Sequence, residues 1–312
     1  MIVTMTPNPS LDQTVEVDSL RRGQVLRVAA SHVDPGGKGV NVSRALAAHG
    51  RKTAAVVCAG GANGRRLIEL LDAAGVAVRQ AAVTGETRVN LSLAEPDGVV
   101  TKVNLPGPEL SDVDVLLDMV LKSCEADTEW VAGCGSLPPG APEDTYRRLV
   151  TRAREAGVRV AIDSSGPALA TSLAAGPDLI KPNKEELAEC AGLPVRTLGD
   201  AVRAAQALRS RGARTVLASL GADGAVLVGE AGAVHGEAPV EAARSTVGAG
   251  DALLAGFLAG GGHGAGALAK ALAWGAAATG LPGSRMPKPD DVQRIHVVIH
   301  PAIDGDRNLK EY

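Results

Sequence analysis

Trp130-Val131-Ala132-Gly133, a helical stretch over 142–156 and then Val158-Arg159-Val160-Ala161-Ile162-Asp163 make up the segment that sets the fold class. The two flanking runs are short, apolar and rich in β-branched residues, as strands buried on both faces are. The helix between them is long enough to return the second strand parallel to the first. The rhythm continues outward. Strand 178–181, helices 184–191 and 199–211, strand 215–219, a hairpin near 223–236 and two Ala/Gly-rich helices after Gly248 follow. Toward the N-terminus, Ile2–Thr6 and Thr53–Cys58 read as strands, 41–49 and 112–123 as helices. Leu67, Leu70, Leu71 and Ala74 recur at i, i+3, i+4 and i+7 of a helix stopped by Gly75. Together these predict an α/β fold: a three-layer α/β/α core around a mostly parallel sheet. Two segments do not fit it. Residues 13–34 (Thr14-Val15-Glu16-Val17, Val25-Leu26-Arg27-Val28) and 87–106 (Arg88-Val89-Asn90-Leu91-Ser92-Leu93) alternate polar and apolar. They predict half-exposed strands forming a small antiparallel flap, a β-sheet lid beside the core, on a single domain spanning 1–312.

Composition excludes several function classes. The 312 residues carry 32 basic and 35 acidic side chains, a net charge of −3 with no basic block. Nucleic acid and anionic membrane are therefore not expected as partners. Two Trp, two Tyr and one Phe are too few for a base-stacking surface. Cys58, Cys124, Cys134 and Cys190 form no CxxC pair, so free thiols and a reducing compartment are expected. No signal peptide and no membrane-length apolar run is visible, which predicts a cytoplasmic protein.

The strongest chemical signal is Ser245-Thr246-Val247-Gly248-Ala249-Gly250-Asp251 before the apolar run Leu253, Leu254, Phe257, Leu258. Small residues opening a helix expose backbone amides to an anion, and the helix N-terminus adds a positive field. A carboxylate in that first turn can take a proton from a hydroxyl, or can simply cap the helix. Pro35-Gly36-Gly37-Lys38-Gly39-Val40-Asn41 is a second Gly-rich turn into a helix, either another anion site or a loop with a solvated lysine. Asp12 follows the first strand, where ligands of parallel sheets gather, and reads as a sugar-hydroxyl acceptor or a turn residue. Asn183 and Glu186 form a capping-box pattern, or lie near Mg²⁺ and its waters. Ser219-Leu220-Gly221-Ala222-Asp223-Gly224 and Gly135-Ser136-Leu137-Pro138-Pro139-Gly140 are further strand-end loops. No Walker A and no GxGxxG after the first strand is present, which disfavours P-loop and dinucleotide-binding readings. His296 and His300 share HxxxH spacing, but the Val297-Val298-Ile299 between them favours a strand over a metal site.

In this order, TPNPSLD, PGGKGVN, GSLPPG, KPNKEEL, SLGADG and STVGAGD resemble the ribokinase-like sugar kinases, phosphofructokinase-B branch, over about residues 1–290. The resemblance implies an ATP- and Mg²⁺-dependent kinase with Asp251 as general base and Gly248, Ala249 and Gly250 as an amide anion hole. It implies a sugar site of Asp12, Gly37, Asn41, Arg88, Asn90 and Ser136, with Lys38 and Arg27 on the sugar's phosphate. The nucleotide falls to Lys181, Asn183, Ser219, Gly221, Ala222, Asp223, Gly224, Thr246 and Gly250, with the segment around Gly275–Gly283. Glu186 reaches Mg²⁺ through water. Lys38 resembles the members that phosphorylate fructose 1-phosphate or tagatose 6-phosphate, and the 88–93 and 97–101 stretches resemble those that phosphorylate fructose 1-phosphate. Tagatose 6-phosphate and fructose 6-phosphate are the rival substrates, and a silent sugar-phosphate-binding regulator is the rival class. Relatives commonly carry serine where Cys134 stands. A homodimer formed through the lids is implied as well.

Overall fold

The computed structural model describes residues 1–310 except 29, 97–98, 241–242 and 301. Asp97 and Gly98, part of the 97–101 stretch named above, lie outside the described residues. The chain begins with β1 (Ile2–Thr6), β2 (Ser10–Glu16), β3 (Ala30–Gly36), α1 (Lys38–Ala48), β4 (Thr53–Ala59), α2 (Gly61–Ala73) and β5 (Ala77–Ala82). It continues through β6 (Arg88–Ala94), β7 (Val100–Asn104), α3 (Val113–Lys122), β8 (Trp130–Cys134), α4 (Thr145–Glu155), β9 (Arg159–Asp163), α5 (Gly166–Ser172) and β10 (Leu179–Ile180). Then come α6 (Lys184–Ala191), α7 (Leu198–Ser210), β11 (Val216–Ser219), β12 (Ala225–Gly229) and β13 (Gly232–Glu237). The last elements are α8 (Ala249–Ala259), α9 (Gly264–Thr279), α10 (Pro289–Gln293) and β14 (Val298–His300).

Among the described residues a 10-stranded sheet runs β14-β13-β12-β11-β10-β9-β8-β1-β4-β5. It is parallel from β5 to β11 and antiparallel from β11 to β14. The inner strands β1, β4 and β8 are buried along their whole length, because helices cover both faces. Alternate side chains feed two cores. Val3, Met5, Val131, Val160 and Ile162 pack with α3, α4 and α7. Ile2, Trp130, Ala132 and Ala161 pack with α1, α8 and α9. This is the three-layer α/β/α architecture that the strand–helix rhythm predicts.

A 4-stranded sheet, β3-β2-β6-β7, stands beside the core as the lid. Its β6 is half-buried throughout and most of β7 is exposed, in keeping with alternating sequence. The lid is not purely antiparallel: β2 pairs with β6 in parallel. Val25–Val28 has no regular structure, although it alternates, and Val25, Arg27 and Val28 stand exposed. Alternation without a neighbouring strand to pair with does not make a strand. Pro35 and Gly36 belong to β3 rather than to a loop, and α1 starts at Lys38 rather than near Asn41. Gly37, with φ +113°, turns strand directly into helix, a conformation L side chains rarely adopt. Edge strand β5 and the two-turn α5 carry too little periodic apolar pattern to be read in sequence. His300 lies in β14, as expected of a strand, and its ring stacks on His235 with centroids 4.9 Å apart.

Candidate active site

The carboxyl ends of β1, β8, β9 and β10 and the N-termini of α1, α6 and α8 converge on one place. Asp251 lies in the first turn of α8, buried, and its Oδ2 accepts a hydrogen bond from Asn41 Nδ2 at 2.9 Å. Gly248, at φ +79°, opens that helix, and no side chain caps it. The amides of Gly250 and Asp251 carry no hydrogen bond among the described residues, so they are open to an anion. Burial, with the nearby carboxylate of Asp163, raises the Asp251 carboxyl to about 6. A group titrating there is ionised at neutral pH yet basic enough to accept a hydroxyl proton.

Asp163 ends β9 and is wholly buried. Its Oδ1 lies 2.8 Å from Lys38 Nζ and its Oδ2 3.0 Å from Lys181 Nζ. Burial works against its ionisation, but Lys181 and Lys38 outweigh that and hold it below the usual carboxylate range. Lys38 also reaches Glu186 Oε1 at 3.3 Å. Burial works to discharge Lys38, and Asp163 and Glu186 outweigh it, keeping the ammonium firmly charged. The structure therefore turns Lys38 inward, between Asp163 and Glu186.

A second cluster lies on the lid side. Asn90 Nδ2 donates to Asp12 Oδ1 and to Ser10 Oγ, both at 3.0 Å. Arg88 donates to the carbonyl of Asn8 at 3.1 Å, and Asn8 Nδ2 to Ser136 Oγ at 3.2 Å. Among the described residues, four buried polar atoms here have no partner: Thr6 Oγ1, Asn8 Oδ1, Arg88 Nε and Asn90 Oδ1. Unpaired buried polar groups are costly, so their grouping marks a place where a polar ligand would supply the missing partners. Gly36 lets the Asp12 carboxylate lie directly against the backbone. Arg27 stands exposed and apart, and among the described residues no hydrogen bond or ion pair joins it to this cluster.

On the other side, Asn183 and Glu186 complete a reciprocal capping box at the start of α6. Asn183 also bridges to Ser219, which brings the two strand-end loops together. Gly221–Asp223 form a single 3₁₀ turn before Gly224, and Thr246 accepts from the amide of Ala249 at 3.4 Å. Asp223 turns its carboxylate toward the C-terminal segment, where Arg307 Nη2 donates at 3.2 Å and the Lys310 amide at 2.7 Å. What Asp223 can offer a nucleotide is thus its backbone. Gly275 is packed inside α9 against Leu253, and Gly283 faces Asp34 of the lid. Cys134 is fully buried behind Gly39, and burial pushes its thiol well above the ordinary value.

Among the described residues no group of three or more His, Cys, Asp or Glu is arranged to cage a metal. The donor set fits Mg²⁺ brought by a nucleotide, since such an ion takes one carboxylate and fills the rest of its shell with phosphate oxygens and water. Glu186 Oε1 is the oxygen available for that role. The motif reading passed over Asp163, Thr6, Asn8 and Ser10. The signal for Asp163 was an acidic residue closing an apolar strand.

Open helix-start amides beside a buried carboxylate, two lysines paired with a second carboxylate and a group of unpaired polar atoms on the lid side suit a sugar kinase by class. A model of the pfkB family carbohydrate kinases matches residues 5–291. A 1-phosphofructokinase of Rhodobacter capsulatus is 40% identical over 260 residues, 82% of each chain. An ATP-dependent 6-phosphofructokinase isozyme 2 of Mycobacterium tuberculosis is 35% identical over 302 residues, covering 94% of this chain and 88% of that protein. The crystal structure of phosphofructokinase-2 from Escherichia coli in complex with substrates and products superposes with TM-score 0.88 at 33% identity, covering 94% and 97% of the two chains. The chain belongs to the pfkB family of carbohydrate kinases. It is an ATP-dependent sugar-phosphate kinase.

Proposed function

We propose that the protein transfers the terminal phosphoryl group of ATP to the C6 hydroxyl of fructose 1-phosphate, giving fructose 1,6-bisphosphate and ADP. The observation that carries the reading is Asp251: buried, raised to about 6, and seated beside the open amides of α8. Its free Oδ1 takes the hydroxyl proton as the sugar oxygen bonds to phosphorus and the bond to ADP breaks. The amides of Gly248, Gly250 and Asp251, joined by that of Ala249 once it leaves Thr246, hold the negative charge of the transferring group with Lys38 and Lys181. Bound MgATP supplies that group and, through the metal, neutralises part of its charge. Lys181, Asn183 and Thr246 and the Ser219, Gly221, Ala222, Asp223 and Gly224 loop hold the nucleotide, and Glu186 the metal's water. Asp12, Asn90, Asn41 and Ser136 orient the sugar, with Arg88 and Arg27 on the lid side for its phosphate. The whole chain is one kinase domain in this reading, acting in the cytoplasm. Among the described residues no helix is long and apolar enough to cross a membrane. Exposed Val25, Val28, Val100 and Val103 on and beside the lid support pairing of two copies there.

With the acceptor hydroxyl at Asp251, the substrate's phosphate must lie at the far end, toward the lid. A 1-phosphate then presents C6, whereas a 6-phosphate presents C1. The first is favoured by likeness to proteins named 1-phosphofructokinase at up to 40% identity. Fructose 6-phosphate is the second reading, favoured by likeness to proteins named 6-phosphofructokinase. ADP release measured with each of the three sugar phosphates at saturating MgATP decides between them. One or two unpaired polar groups in the wrong complex predict at least roughly tenfold higher kcat/KM for fructose 1-phosphate. A faster reaction with either 6-phosphate overturns the choice of sugar but not the chemistry, and no reaction with any of them overturns both.

A further inference from the structure

Arg44 lies on α1, one turn beyond Asn41, its side chain 10% exposed, and is outside every residue assigned above. Its Nη1 donates to the carbonyl of Pro35, the carbonyl of Ser284 and Oδ1 of Asn41, each at 3.0 Å, and its Nη2 to Asp34 Oδ1 at 3.4 Å. A guanidinium has donors only, whereas an asparagine amide has an oxygen on one side and an NH₂ on the other. An Asn41 whose oxygen is fixed on Arg44 must present its NH₂ to the remaining neighbour. That neighbour is Asp251 Oδ2, at 2.9 Å. A donor aimed at a carboxylate favours its ionised form and fixes which oxygen stays free.

We infer that Arg44 is a positioning residue for phosphoryl transfer: it locks the amide of Asn41 so that its N–H faces Asp251, holding that carboxylate ionised with Oδ1 turned to the sugar hydroxyl. The inference rests on the reading of Asp251 as general base. Arg44 also joins the segments that frame the base. Pro35 and Asp34 belong to β3, Asn41 to α1, and Ser284 to the loop whose Met286 packs against Gly248. The other groups facing Asp251 are Asp163 from β9, Lys181 after β10, Lys38 from α1 and the Cys134 thiol from β8. None of them forms a hydrogen bond to it among the described residues, so Asn41 alone sets its orientation.

The test compares wild type, Arg44→Lys, Asn41→Ala, the Arg44→Lys/Asn41→Ala double variant, Asn41→Asp and Asp251→Asn by ADP release across pH. Lysine keeps the charge but loses the rigid planar group whose Nη1 faces three oxygens while Nη2 faces Asp34. Arg44→Lys is expected to lower kcat about tenfold and move the acid limb of the pH profile upward, with both KM values within about threefold. In the Asn41→Ala background the same change should lower kcat less than about twofold, since the residue it acts through is gone. Asn41→Asp keeps an acceptor for Arg44 and nearly the same volume while removing the N–H. It should lose at least about tenfold in kcat, and it tests the inference even if Arg44→Lys does not fold. Equal losses from Arg44→Lys in both backgrounds, or an Asn41→Asp enzyme with wild-type kcat, overturn it. If Asp251→Asn keeps its turnover, the base reading falls and this inference with it. If Asp251→Asn loses turnover while Asn41→Asp does not, the inference alone falls.

Discussion

Asp251 and Glu237 are carboxylates in one α/β core, and their surroundings treat them in opposite ways. Asp251 has one amide donor and a second carboxylate nearby, and it is raised to about 6. Glu237, at the end of β13, accepts from both terminal nitrogens of Arg307 at 2.8 and 3.2 Å, and His300 Nε2 lies 2.8 Å away. Arg307, above all, and then His300 overcome its partial burial and hold it at about 2. A carboxylate saturated with donors is a strut that does not accept protons in the physiological range. One left short of donors, beside a like charge, is a base. The distinction lies in the neighbours rather than in the residue.

The largest expected effect separates the two directly. Asp251→Asn should lower kcat by about 10²–10⁴-fold with little change in either KM, while Glu237→Gln should stay within about threefold of wild type in kcat. Wild-type activity should fall as pH drops through about 6, because the protonated acid cannot accept the hydroxyl proton. A D251N enzyme keeping more than about a third of its turnover would remove the contrast.

Stability should move in opposite directions as well. The folded-state value of Asp251 lies above its unfolded one, so its contribution is present below about 4 and is lost as pH rises through about 6. At pH 7 its ionised form therefore destabilises the fold, and Asp251→Asn should stabilise it by about 1–3 kcal/mol. Glu237 is depressed, so its contribution is present above the unfolded value of 4.5 and lost as pH falls through about 2. Glu237→Gln should cost about 2–3 kcal/mol at pH 7. Urea unfolding of both variants checks this, and changes of the same sign would break the comparison.

Two cations sharpen it. Lys38→Ala removes a positive neighbour of Asp251 and one of the two partners of Asp163. It should lower kcat/KM for the sugar phosphate roughly ten- to a hundredfold and move the acid limb upward. An acid limb that stays in place would show that Lys38 does not act on the base. The smallest effect is expected at Arg307, which touches Asp223 beside the nucleotide loop. Arg307→Ala should raise the KM for ATP about three- to tenfold without moving the acid limb or the sugar KM. Calorimetric titration of ATP without sugar gives an independent value, and unchanged affinity would detach the C-terminal segment from nucleotide binding.

The sequence reading reached the α/β layers because buried parallel strands and their helices are continuous, local patterns. It found the base because Gly248-Ala249-Gly250-Asp251 is contiguous. It placed Lys38 on the sugar's phosphate, whereas the folded chain draws it to Asp163, 125 positions away. No local pattern encodes an ion pair across that separation. Asp163 was legible only as the end of a strand, and Arg44 only as a helix residue, because what each does depends on neighbours from other elements. Val25–Val28 went the other way: the alternation was present, and the partner strand was not. The C-terminal segment showed no pattern at all, since its role lies in single contacts to Asp223 and Glu237.

Those contacts carry a consequence for the order of synthesis. Residues 219–224, the turn read as the nucleotide loop, leave the ribosome well before Arg307 and Lys310, whose guanidinium and backbone amide donate to the Asp223 carboxylate. A nascent chain that has already made β1 through β13 holds that buried carboxylate without either partner, an arrangement that disfavours the closed turn. The turn at 219–224 thus meets these partners only after the segments that carry Asp163, Lys38, Lys181 and Asp251 have been made. Removal of Leu309 and Lys310 would take an apolar side chain from one core and a donor from Asp223 together, so that core and the turn depend on the same segment.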